Sequence, residues 1–176
     1  MRFPAIVKNH LGPLSYQATH IETIFIECLT ENRPLYIGMT YHRSGTSITI
    51  FEDDLSSILE NIGSKCILMG DFNVNMLKEA NDSVFSFTNN LREYSFRPLI
   101  IKPTRVFNKS ISLIDHIWVN FEPLNNHYNS NIIFVDITDH FPIVYHHELR
   151  RPLQETKCIK FRKTGERYDR NFRKLI

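Results

Sequence analysis

Along the first 148 residues, apolar residues gather in short β-branched and aromatic runs, interrupted by two longer stretches with helical spacing. Strand-like runs fall at 5–8, 23–29, 35–41, 66–71, 113–120, 132–137 and 143–147, each rich in Ile, Val, Phe or Tyr. Residues 47–62 place Ile50, Phe51, Leu55, Ile58, Leu59 and Ile62 on one helical stripe. Glu52, Asp53 and Asp54 lie in the early turns of that stretch, where acids suit the helix dipole. Residues 81–94 place Val84, Phe85, Thr88 and Leu91 similarly, with Asn81 or Asp82 as the N-cap. Strands separated by helices, followed by strands alone, predict an α/β (α+β) domain built as a sandwich of mixed sheets with helices outside. The chain shows no internal repeat and no low-complexity tract.

Composition narrows the picture. With 176 residues and 42% hydrophobic content, the chain can build one sizeable core but not two comfortable domains. No apolar stretch approaches the ~20 residues that a membrane span needs, and Met1-Arg2-Phe3-Pro4 does not open a signal-peptide core. Cys28, Cys66 and Cys158 are odd in number and lack zinc spacing; Cys28 and Cys66 sit in apolar runs, as buried reduced thiols do in an intracellular protein. The net charge of +2 conceals a split. From residue 149 onward ten Lys/Arg stand against three acids, a net +7, which leaves −5 for residues 1–148. This divides the chain into a domain over 1–148 and a basic linker or tail over 149–176. The tail suits contact with nucleic acid, and equally a solvated linker to a further domain.

The chemistry begins in the run Ile67-Leu68-Met69-Gly70-Asp71-Phe72-Asn73. An apolar strand stops at a glycine and then offers a carboxylate and a carboxamide two residues apart. In a continuing strand, Asp71 and Asn73 would face one pocket, a combination suited to phosphate-ester hydrolysis. The same letters fit a strand that ends in an Asx-type turn. Two later segments add weight. In Leu113-Ile114-Asp115-His116-Ile117-Trp118-Val119 an acid interrupts an apolar run, a costly placement without a partner. In Thr138-Asp139-His140-Phe141-Pro142-Ile143-Val144 an Asp-His pair enters another apolar strand.

Taken in order, the chain resembles the endonuclease/exonuclease/phosphatase superfamily, and within it the apurinic-type endonuclease domains of non-LTR (LINE-like) retrotransposons. The matching pieces are Tyr36-Ile37-Gly38-Met39-Thr40-Tyr41-His42-Arg43, Gly70-Asp71-Phe72-Asn73, Lys102-Pro103-Thr104-Arg105, Leu113-Ile114-Asp115-His116-Ile117 and Thr138-Asp139-His140-Phe141-Pro142-Ile143. The resemblance spans roughly residues 5–148. It implies a DNase I-like four-layer sandwich and a Mg²⁺-dependent phosphodiesterase that nicks DNA, partnered in the full element by a downstream reverse transcriptase. It also implies an intracellular location, extending to the nucleus.

By the same resemblance, Asp71 orients or deprotonates the attacking water and Asn73 donates to the phosphate or nucleophile. His140 contacts the scissile phosphate, and Asp115 holds its imidazole. Tyr41 adds a phenol near the phosphate. Asp139 joins Asp71 on the metal side. Thr104 and Arg105 sit where the family contacts the DNA backbone, although Arg105 also reads as an ordinary surface charge. His116, His146 and His147 take surface or core positions.

The sequence departs from the family at its front. There the family carries an Asn strand and a strand ending in a Glu that is the principal Mg²⁺ ligand, both before the segment matched by 5–8. The expectation is therefore a domain lacking its N-terminal strands. Glu22 and Glu27 fall in a strand matching a later, structural part of the family, which leaves Asp71 and Asp139 to hold the cation. Two alternatives to an active endonuclease follow: a non-catalytic transposon remnant, and a phosphatase of the same superfamily.

Overall fold

The computed structural model describes residues 7–8, 21–30, 33–78, 80–122 and 128–148. The basic tail at 149–176, Cys158 and the first half of the 5–8 run lie outside the described residues. The elements follow in the order β1 (Val7–Lys8), β2 (Ile21–Cys28), β3 (Leu35–His42), α1 (Ile48–Leu59), β4 (Lys65–Asp71), α2 (Asp82–Glu93), β5 (Arg97–Pro98), β6 (Arg105–Phe107), β7 (Ser110–Ser112), β8 (Asp115–Val119), β9 (Tyr128–Ile132) and β10 (Ile143–His147).

Six strands form one mixed sheet in the order β1-β2-β3-β4-β8-β5. β2 and β3 pair antiparallel along their whole length. β3 and β4 run parallel, a geometry that demands a crossover, and α1 is that crossover. β8 returns antiparallel to β4. The strands alternate between two cores, as the two-residue pleat requires. Phe25, Tyr36, Cys66, Leu68 and Trp118 meet Phe51, Leu55, Ile58 and Leu59 of α1 and Val84, Phe87 and Leu91 of α2. On the other face, Cys28, Leu35, Ile37, Ile67, Ile117 and Val119 pack with Ile132, Ile143 and Tyr145 of the β9–β10 pair. The result is helices, a mixed sheet and a second small sheet in layers. Cys28 and Cys66 are buried free thiols, and burial pushes the Cys66 thiol up to about 12.

Four local expectations need correction. Ile50 is exposed, and Glu52 turns inward, accepting a hydrogen bond from Ser86 Oγ of α2. In α2 the buried stripe is Val84, Phe87, Thr88 and Leu91, while Phe85 is 64% exposed. The strand expected at 132–137 instead occupies Tyr128–Ile132, and the apolar residues after it are solvent-facing. Its partner explains the shift. Ile132 pairs with Ile143, and the next contact is Ile133 N–H to Pro142 O. Pro142 has no N–H, so the ladder cannot extend into 133–137. Finally, the run 113–120 contains a shorter strand, because Leu113 and Ile114 serve the loop after β4: their carbonyls accept from Met76 and Phe72 N–H.

Candidate functional site

Three strands of the sheet end together, and the site lies there. Register places Tyr41, Asp71 and Asp115 side by side on β3, β4 and β8, with Glu22 of β2 opposite Tyr41. One pleat deeper the row is Met39, Met69 and Ile117, and the next is Ile37, Ile67 and Val119. Those deeper β4 and β8 residues pack under β9–β10, so alternation turns Asp71 and Asp115 towards that same side. Gly70 makes the approach to β3 possible. Its φ is +143°, and a Cβ there would stand 1.9 Å from Thr40 O.

The segment before β10 brings His140 over the two carboxylates. Thr138 holds it locally: its Oγ1 accepts from His140 N–H and donates to His140 O. His140 Nδ1 lies 3.2 Å and 3.1 Å from the two oxygens of Asp115. With Asp115 ionised, Nδ1–H donates and Nε2 is left for solvent or a ligand. Atoms of Asp71, Asp115 and His140 come within 4.8 Å of one another, a group that could hold a metal ion. Burial pushes the Asp71 carboxyl up, Asn73 N–H opposes this, and the Asp115 charge adds to the rise. A nearby cation would lower it again.

Asn73 does not share a strand face with Asp71. β4 ends at Asp71, and Asn73 takes a left-handed conformation with φ 49°. Its N–H donates to Asp71 Oδ1 at 3.0 Å, which is the Asx turn that the letters also allowed. Asn73 Nδ2 donates to His42 O at 2.7 Å, keeping the carboxamide at the same end of the sheet. Tyr41 is exposed beside Asp71.

Asp139 stands apart from the metal-capable group. Arg105 Nε donates to its Oδ2 at 2.7 Å, and this guanidinium holds the carboxyl below its usual range. Arg105 also lies 5.5 Å from the Phe107 ring centre, so it is a pinned side chain and not a free surface charge. Thr104 is 0% exposed, which denies its side chain the expected DNA contact. His116 is buried on the helix side and stacks on Phe72 at 5.0 Å, while His146 is exposed.

Two supporting residues escaped the sequence reading. His42 is buried with Nδ1 2.9 Å from Phe72 O, and its own carbonyl holds Asn73. Asn75 Oδ1 accepts from Leu77 N–H and Leu113 N–H, tying the loop after β4 to the start of β8. The one available signal was the second Asn in Asp71-Phe72-Asn73-Val74-Asn75, since Asn favours such loop bonds.

This arrangement of mixed sheets with helices outside is the DNase I-like fold, which solved structures share. Among solved structures with it is the endonuclease domain of TRAS1, a telomere-specific non-LTR retrotransposon, at TM-score 0.62 and 14% identity, covering 73% of this chain and 64% of that one. An endonuclease/exonuclease/phosphatase family protein from Leptotrichia buccalis gives TM-score 0.54 at 18% identity, over 72% of this chain and 54% of that one. Beta toxin from Staphylococcus aureus gives 0.53 at 12% identity, over 72% and 57%. The chain therefore spans less than two-thirds of the length of these structures. No family model matches the sequence, and no curated protein matches it. Among the described residues, no helix is long and apolar enough to cross a membrane.

Proposed function

We propose that this chain is a metal-dependent phosphodiesterase domain that cleaves DNA, of the type encoded by non-LTR retrotransposons. One observation carries the reading: the Asp115–His140 hydrogen bond formed directly beside Asp71. An imidazole oriented by a carboxylate, next to a second carboxylate, suits attack of water on a phosphodiester. The order of Lys102-Pro103-Thr104-Arg105 and Leu113-Ile114-Asp115-His116-Ile117, together with the likeness to the TRAS1 domain, supports the retrotransposon branch over a phosphatase.

The fold family implies a divalent cation, and the donors fit one. Asp71 and Asp115 offer hard oxygens, and Mg²⁺ commonly takes one or two carboxylates while keeping several waters. When bound, the cation would neutralise phosphate charge and make water more acidic. The chain's own residues do the rest. Asp71 orients the attacking water and accepts its proton. Asp115 fixes His140 with Nδ1–H inward, so that Nε2 faces the phosphate and stabilises its developing charge. Asn73 has a second amide N–H free of His42 for a phosphate oxygen, and the Tyr41 phenol stands beside them. Arg105 pins Asp139 and so shapes the rim of the site. In this reading the partner is chromosomal DNA in the nucleus, and the nick serves a reverse transcriptase of the same element.

The pairing of Asp139 with Arg105 favours a second reading, in which a weakly held cation leaves the fold without turnover. A supercoiled-plasmid nicking assay with Mg²⁺ separates them. Cleavage that is abolished by chelator and reduced roughly 100-fold or more in His140→Ala supports the enzyme. Absence of Mg²⁺-dependent nicking by a folded preparation supports the second reading.

A further inference from the structure

We infer that Thr104 is a positioning residue that sets the Asp115–His140 pair. Its side chain has no water to turn to, being wholly buried. Thr104 Oγ1 accepts from Ile114 N–H at 3.2 Å and from Asp115 N–H at 3.0 Å. A hydroxyl oxygen has two lone pairs, and here both serve the first residue of β8 and its predecessor. The backbone of the same residue reaches the other partner. Thr104 O accepts from Phe141 N–H at 2.7 Å, next to His140, and Arg105 forms an antiparallel bridge with His140 itself. Thr104 N–H is anchored on Ser112 O at the end of β7.

One buried residue thus ties together the strand that supplies the carboxylate and the segment that supplies the imidazole. β-branching stiffens its χ1, so the hydroxyl has little freedom to leave. The stakes are geometric. Nδ1 is 3.1 Å and 3.2 Å from the Asp115 oxygens, and a displacement of a few tenths of an ångström at either strand weakens a contact already at that length. Removing the hydroxyl would orphan the buried Ile114 N–H and the half-buried Asp115 N–H, and the start of β8 would move to find them partners. Asp139, one residue from His140, is held separately by Val106 N–H and Arg105, so the register between 104–106 and 139–141 survives loss of the hydroxyl alone. The effect would therefore concentrate on Asp115.

The test uses the full chain with Thr104→Val, which keeps the shape and loses the acceptor, and Thr104→Ser, which keeps the acceptor. Long-range ¹H–¹⁵N spectra report the tautomer of His140 without substrate. We expect the wild-type chain and Thr104→Ser to hold one Nδ1–H tautomer, and Thr104→Val to show a mixture. On plasmid DNA with Mg²⁺, Thr104→Val should lose roughly 10- to 100-fold in kcat with KM nearly unchanged, and Thr104→Ser should recover most of it. The rate measurement rests on the phosphodiesterase reading; the tautomer measurement does not, so the two can fail separately. If Thr104→Val does not fold, Thr104→Cys keeps the volume with a weak acceptor and should show the same tautomer mixture in lesser degree. A folded Thr104→Val or Thr104→Cys chain with an unaltered His140 tautomer would overturn the inference. So would a Thr104→Ser chain as disturbed as Thr104→Val.

Discussion

His116 stacks on Phe72 within van der Waals reach of Phe87 and Trp118, one position from the Asp115 that serves the site. Its Nε2–H donates to Leu113 O at 3.1 Å. Burial pushes its pKa down to about 4, against about 6.5 for the free side chain. The unfolded chain therefore binds the proton more readily between those values. Stability from this residue is complete above about pH 6.5 and is lost as pH falls towards 4, by an amount on the order of 3 kcal/mol. Glu52 and Asp71, both pushed up by burial, act with the opposite sign, losing stability as pH rises through their folded pKa values. Urea unfolding at pH 7 and pH 5 should show the drop, and His116→Phe should flatten it. An unchanged slope in that variant would transfer the effect to other groups. The neighbouring letters Asp115-His116 thus serve opposite faces of one strand, a separation that follows from the pleat alone.

The two helices show how far local pattern reaches and where it stops. α2 starts at an Asn81 whose Oδ1 accepts from Ser83 N–H at 2.9 Å and from Val84 N–H at 3.4 Å. Asn81→Ala should cost about 1 kcal/mol in denaturant unfolding, with no loss at the site. A cost below a few tenths would mean that water replaces the cap. Asp82, the other candidate, is the first helical residue and lends its charge to the dipole. Helical spacing favours Phe87 over Phe85, which the sequence reading places on the stripe. Phe87 lies in line with Val84 and Leu91, whereas Phe85 sits about 100° from Val84 around the helix. At the other extreme, β9 is built from Tyr128-Asn129-Ser130-Asn131-Ile132, whose polar centre 129–131 no strand propensity favours. Its ladder to β10 supplies what its own residues lack.

Across the whole molecule, the sheet face bearing the site is covered unevenly. The β9–β10 pair reaches β8, while Ile24 is 64% and Met39 47% exposed on β2 and β3. Among the described residues β2 pairs with β1 only at Cys28 and Glu27, and its run from Ile21 to Ile26 has no described partner on that side, beside that apolar surface. Bare, flat, apolar edges recruit other strands. The chain should self-associate as its concentration rises, seen by light scattering, and Ile24→Lys should suppress this without altering the far-ultraviolet spectrum. A wild-type chain that stays monomeric at high concentration would show the edge to be covered.

Local signals along the chain specify the set of parts. The strand runs at 23–29, 35–41, 66–71, 113–120 and 143–147, two helices and the letters Asp71, Asn73, Asp115 and His140 are legible because periodicity, propensity and an acid set in an apolar run are local signals. The ordered motifs also carried the fold family. Which polar groups meet depends instead on contacts between segments far apart in the chain. Asp115 finds His140 because β8 and the start of β10 converge through Thr104, whereas Asp139, one residue away, is captured by Arg105. Thr104 reads as a surface contact in the sequence and is a buried tie in the fold. Asn73 lies two residues from Asp71, yet the end of β4 turns it out of the pleat into an Asx turn. Spacing along a chain names the groups that can react; hydrogen bonds between distant segments, fixed only on folding, settle the distances at which they stand.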